Sequence, residues 1–116
     1  MGGGHVSDLL QVVPTSEPRT MRLIGELDAS NAEEFLDTLL PQIDEGGDLV
    51  LNITELTFID SMGLRSLLRV ATGLENTGKL FLESPQRAVA RTIELVGLEQ
   101  TPNIAVVGGP PADQGE

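Results

Sequence analysis

Leu49-Val50-Leu51-Asn52-Ile53-Thr54-Glu55-Leu56-Thr57-Phe58-Ile59-Asp60-Ser61-Met62-Gly63-Leu64 changes its hydrophobic period partway along. Leu49 to Ile53 is almost continuously apolar, as expected of a central strand covered on both faces. From Leu64 onward the apolar residues Leu64, Leu67, Leu68, Ala71 and Leu74 recur at helical spacing. Leu56 to Leu64 is therefore a tight passage from strand to helix, and it brings an acid and a hydroxyl to a helix N-terminus. Ser61 is the expected N-cap, and Gly63 leaves the first turn sterically open to an approaching partner. On these residues alone Ser61 reads equally as an ordinary cap or as a displayed functional group. Gly78 suits the left-handed position past the helix end.

Working outward, the same alternation repeats. Leu9 to Val13 is a short apolar run closed by Pro14, and Met21 to Leu27 alternates again, so two strands are expected to pair antiparallel. Ser30-Asn31-Ala32-Glu33 has capping-box spacing, with Ser30 as the cap. The helix it opens carries Ala32, Phe35, Leu36, Leu39, Leu40 and Ile43 on one stripe, and Pro41 predicts a kink or stop near Leu40. Leu80 to Leu82 forms the next strand. Ser84-Pro85 is expected to start a third helix with Val89, Ile93 and Val96 inward, closed by Gly97 and Leu98. Ile104 to Val107 adds a last strand. The fold class is α/β: a mixed, mostly parallel sheet with alternating helices and right-handed crossovers, its first two strands antiparallel. Residues 1–8 are expected to be a flexible N-terminus, 9–107 one domain and 108–116 a disordered tail.

Composition narrows the function. The 116 residues suffice for one modest core, and 7 basic against 18 acidic side chains give a net charge of −11. That charge repels phosphate backbones, and the absence of Trp and Tyr removes a base-stacking platform, so nucleic acid is not an expected partner. No apolar run is long enough to span a bilayer, so direct membrane insertion is not expected, and Met1-Gly2-Gly3-Gly4-His5, followed within a few residues by Asp8, makes a secretory signal not expected either. With no cysteine, disulfides and thiol chemistry are excluded. Asp44, Glu45 and Asp48 lack the alternation of a calcium loop, so no metal or other cofactor is assigned. A serine hydrolase would need a base near Ser61, but the single histidine is His5 and the turn is not a Gly-x-Ser-x-Gly elbow. No glycine-rich phosphate loop with a lysine appears, so the chain is not expected to be an enzyme.

Two motifs together resemble a known family. Asp60-Ser61-Met62-Gly63-Leu64, following a strand and opening a helix, is similar to the Asp-Ser-x-Gly-Leu turn of the STAS-domain anti-sigma factor antagonists. Arg22-Leu23-Ile24-Gly25-Glu26-Leu27-Asp28 looks like that family's second strand ending in Gly-x-Leu-Asp. The resemblance covers about Leu9 to Val107. It implies a single STAS domain in which Ser61 is phosphorylated by a partner kinase, Asp60 is its acidic neighbour, and Asp28 lies near the same rim. Gly63 and Leu64 would open the recognition helix, and Met62 stands where the family commonly has a small or hydroxyl residue. Partner-binding residues are then Asp28, Asp60, Ser61, Met62, Gly63, Leu64 and Arg65. The implied partners are an anti-sigma factor with serine kinase activity and a phosphatase acting on phospho-Ser61, in the cytoplasm. An alternative is a non-switching STAS adaptor of a membrane transporter or signalling assembly.

The other charged groups have plain readings beside sharper ones. Arg65 and Arg69, and Arg87 and Arg91, lie one turn apart and read first as solvated helix faces. In the sharper reading Arg65 and Arg69 extend the partner site from Ser61. Asp28 reads equally as a strand-ending residue supporting the turn into the first helix.

Overall fold

Alternation along the strands sorts their side chains onto two faces of one sheet. The structure, a computed structural model, describes residues 4–109. Its strands are β1 (Gly4–Ser7), β2 (Leu10–Pro14), β3 (Thr20–Leu27), β4 (Leu49–Ile59), β5 (Leu80–Glu83) and β6 (Ile104–Val107). They lie side by side in that order. The expected antiparallel pair is β2 with β3, running from Leu10 opposite Gly25 to Pro14 opposite Met21. The pairs β3–β4, β4–β5 and β5–β6 are parallel. Between them run α1 (Ala32–Glu45), α2 (Ser61–Leu74) and α3 (Arg87–Val96), with a short 3-10 turn at Leu98–Gln100.

Because each parallel strand is added on the same side of its predecessor, right-handed crossovers place all three helices on one face. The core agrees: Leu23, Leu49, Leu51, Leu80 and Leu82 from the strands share one buried cluster with Phe35, Leu67, Val70 and Ile93 from the helices. Val50 and Phe81, of opposite parity, stay outside it. The expectation that β4 is covered on both faces is therefore corrected. It is central, but among the described residues only one of its faces is packed by helices.

Several boundaries also differ from the sequence reading. Residues 4–7, placed in a flexible N-terminus, form β1 and pair antiparallel with β2, and Val6 is buried. Of the remaining expected loose ends, Asp8, Gly108 and Gly109 lie in turns or bends, and residues 1–3 and 110–116 lie outside the described residues. α1 runs past Pro41 to Glu45. Its last turn is clamped by Arg19, whose guanidinium donates to the Gln42 carbonyl at 3.1 Å and to Glu45 at 3.1 Å. Leu40 and Val96, expected inward, are 48% and 55% exposed. Gly78 lacks the left-handed conformation. It is instead needed for close approach, since a methyl there would collide with the Gly47–Asp48 backbone. Gly97 does take the left-handed position that closes α3 (φ 69°), and Leu98 returns to the core.

β4 continues to Ile59, beyond the stretch read as strand. Its buried residues change from alternation at Leu49, Leu51 and Ile53 to every third at Ile53, Leu56 and Ile59. Register shifts in the β3–β4 ladder absorb the extra residues. The result carries β4 directly into the α2 N-terminus.

Candidate functional site

The site forms where two strand-to-helix junctions meet, one after β3 and one after β4. Asp60, not Ser61, is the N-cap of α2: its Oδ1 accepts from the Gly63 amide at 2.9 Å. This corrects the sequence assignment, and the reason is tertiary. Oδ2 of the same carboxylate accepts from the Ala29 amide at 3.1 Å, so Asp60 ties the β3–α1 loop to the start of α2. Gly63 completes the fit, because a methyl there would run into the Leu27 carbonyl and come within 2.8 Å of Ile59 Cγ1.

Ser61 is thereby freed. It is the first residue of α2, exposed, and among the described residues its hydroxyl has no hydrogen-bond partner. Met62 beside it is 43% exposed, and Arg65 follows one turn on, also exposed. Gly63 and Leu64 are buried and seat the helix. The accessible side chains brought together are thus Ser61, Met62 and Arg65. Met62, Arg65 and Arg69 line a hollow of about 160 Å³ between α1 and α2, with Glu33 and Leu36 opposite. Ser61, Arg65 and Leu68 border a second, of about 210 Å³, reaching Val96 and Leu98.

Asp28 lies on the adjoining loop, with its carboxylate turned back into that loop. Oδ1 accepts from the Ser30 amide at 3.0 Å and from the Ser30 hydroxyl at 2.6 Å. Asp28 therefore has the supporting role that the sequence allowed, and Ser30 is not the cap of α1. That position belongs to Asn31, which has no side-chain cap bond and is 1% exposed. Its side chain bonds inward instead. Nδ2 donates to the Glu26 carbonyl at 3.0 Å and to the Ser7 hydroxyl at 3.2 Å, while Oδ1 accepts from the Asp28 amide at 3.0 Å. Sequence reasoning passed over Asn31, although asparagine ranks with serine as a cap and the Asp28-x-x-Asn31 spacing offered the signal. Similarly, α3 starts after Gln86 and not at Ser84-Pro85: Ser84 has φ 59°, outside the extended conformation of a cap, while Gln86 is extended, and the Ser84 amide donates to the Val107 carbonyl at 2.7 Å.

Asn31 is thus a buried joint between β1, β3 and the loop that Asp60 holds. Asn31→Ala is expected to cost about 2–3 kcal/mol, because it removes three hydrogen bonds and strands their partners. Urea unfolding measures the loss. Faster hydrogen exchange at the Asp28 and Ala29 amides would show that it reaches the site.

The comparisons agree with the fold. A family model described as the STAS domain matches residues 10–106. A solved structure of a proposed anti-sigma factor antagonist from Thermotoga maritima superposes with a TM-score of 0.68 at 20% identity, over 80% of this chain and 82% of that one. The anti-sigma factor antagonist SpoIIAA in its unphosphorylated form gives 0.66 at 24% identity, over 84% and 86%. SLC26A9 gives 0.67 at 17% identity, covering 94% of this chain but only 23% of the larger one. With a family model spanning nearly every described element, the chain belongs to the STAS-domain family.

Proposed function

We propose that this chain is an anti-sigma factor antagonist working by partner switching in the cytoplasm. Unphosphorylated, it binds an anti-sigma factor that is also a serine kinase and so frees the sigma factor. Phosphorylation of Ser61 by that kinase ends the binding, and a phosphatase acting on phospho-Ser61 restores it. The chain is the kinase's substrate and not an enzyme, and ATP and magnesium belong to the partner.

The observation that carries this reading is the division of labour at the α2 N-terminus, where Asp60 does the capping and Ser61 is left exposed, its hydroxyl unbonded among the described residues. A capping hydroxyl would have to abandon its amide before reaching a kinase, whereas this one is free to enter an active site. SpoIIAA, which shares the fold, exists in an unphosphorylated and a phosphorylated form. Arg65 and the exposed Met62 supply the adjoining contact surface. The resemblance of the fold to part of an anion transporter keeps one other reading in play, a STAS adaptor without a phosphorylation cycle.

Ser61→Ala and Ser61→Glu baits, incubated side by side with host lysate, separate the two. The switch is expected to retain an ATP-binding kinase on the alanine bait and lose it on the glutamate bait. Equal retention of a transporter or scaffold component by both would favour the adaptor.

A further inference from the structure

The helix-free face of the sheet is built unlike the surface of a solvated domain. Val13, Ile24, Val50, Phe58, Phe81 and Val107 stand outside the buried core cluster, and the strand registers place them on this face. Two of the three phenylalanines in the chain are here, with Phe58 at 47% exposure, whereas Phe35 is fully buried in the core. An apolar surface of this kind, rimmed by charge, marks an interaction site more often than idle exposure.

The rim identifies the occupant. Glu26 stands opposite Phe58, Glu55 opposite Ile24, and Glu83 opposite Val107. The basic residue among them is Arg22, whose guanidinium is bonded to Glu55. A second copy of the chain would set acid against acid, and anionic surfaces are repelled for the same reason. Residues 110–116, Pro-Pro-Ala-Asp-Gln-Gly-Glu, contribute two further acids and no large apolar side chain.

We propose that this sheet face docks a basic amphipathic protein segment. Its apolar side chains would lie across Phe58, Val50 and Phe81, and its Lys or Arg side chains would meet Glu26 and Glu83, Glu55 being held by Arg22. The surface is separate from Ser61 and works in either phosphorylation state. It would let the domain be held by one protein while Ser61 faces another.

The test titrates the isotope-labelled full chain with a synthetic helical peptide carrying leucine on one face and lysine on the other. A peptide with serine replacing leucine serves as the charge control. Saturable shifts are expected at the amides of Ile24, Val50, Phe58 and Phe81 with the leucine peptide alone. Phe58→Ser/Phe81→Ser should weaken binding by about tenfold or more. Glu26→Gln/Glu83→Gln leaves the packed core and the Arg22–Glu55 pair untouched and should also weaken it severalfold, so the proposal stays testable if the double serine variant unfolds. Ser61→Glu should bind as the parent does. Shifts confined to the helix side, no saturation, equal binding by the glutamine variant, or dimerisation through this face would each overturn the proposal.

Discussion

Gly25→Ala is expected to cost about 3–7 kcal/mol, a large part of the 5–15 kcal/mol typical of a domain. Gly25 has φ 116°, a conformation strained for any residue with a side chain, and an added methyl would run into the Leu9 carbonyl oxygen. That oxygen already accepts from the Glu26 amide at 2.8 Å, so relieving the clash breaks the ladder between β2 and β3. Backbone strain contributes roughly 1–3 kcal/mol, the overpacked contact a similar amount, and the lost hydrogen bond about 1 kcal/mol. Gly47→Ala isolates the strain alone: its φ is 89°, but nothing lies within 4 Å of the added methyl. Urea midpoints of the two variants should differ widely. Equal midpoints would show that β2 does not approach Gly25 as closely as described.

Phosphorylation of Ser61 is expected to lower affinity for the kinase partner by tenfold to a hundredfold while leaving the fold intact. The phosphate adds about 1.5–2 negative charges next to Asp60, on a chain already at −11. Against a partner carboxylate at ~5 Å, each unit of charge costs about 1–3 kcal/mol for effective dielectrics between 80 and 20, which gives the stated loss before steric conflict. Within the chain the balance is milder. The α2 dipole favours a phosphate at its N-terminus by roughly 0.3–1 kcal/mol, while the Asp60 carboxylate beside it opposes by a comparable amount. Because Asp60 already holds the Gly63 amide, the phosphate displaces no cap. Thermal unfolding of phosphorylated and unmodified protein should show midpoints within a few degrees of each other. A large drop would mean that the modification acts by melting α2.

Much of this was legible in the sequence, and the exceptions share a cause. Hydrophobic spacing located the three α-helices of the described residues, the parallel strands and the antiparallel β2–β3 pair, because burial on one face dictates those periods, but not the 3-10 turn at Leu98–Gln100. It also placed Ser61 at the start of α2. What it misjudged was which of several neighbouring polar residues caps each helix. Asp60 and Ser61 are both competent caps, as are Ser30 and Asn31. The choice is made by groups distant in the chain: the Ala29 amide for Asp60, and the Ser7 hydroxyl and Glu26 carbonyl for Asn31. Pro41 reads locally as a stop, yet Arg19, from the turn before β3, holds the last turn of α1. β4 hid its length because its bulged half abandons alternation, and the open sheet face is a consequence of strand order.

The central claim is that Ser61 is a switch at an interface. Its most direct test is calorimetric titration of the kinase recovered on the Ser61→Ala bait with the full chain, unmodified and stoichiometrically phosphorylated at Ser61. The expected result is tight binding of the unmodified chain and at least tenfold weaker binding of the phosphorylated one, with both chains unfolding cooperatively at similar temperatures. Equal affinity of the two forms would contradict it.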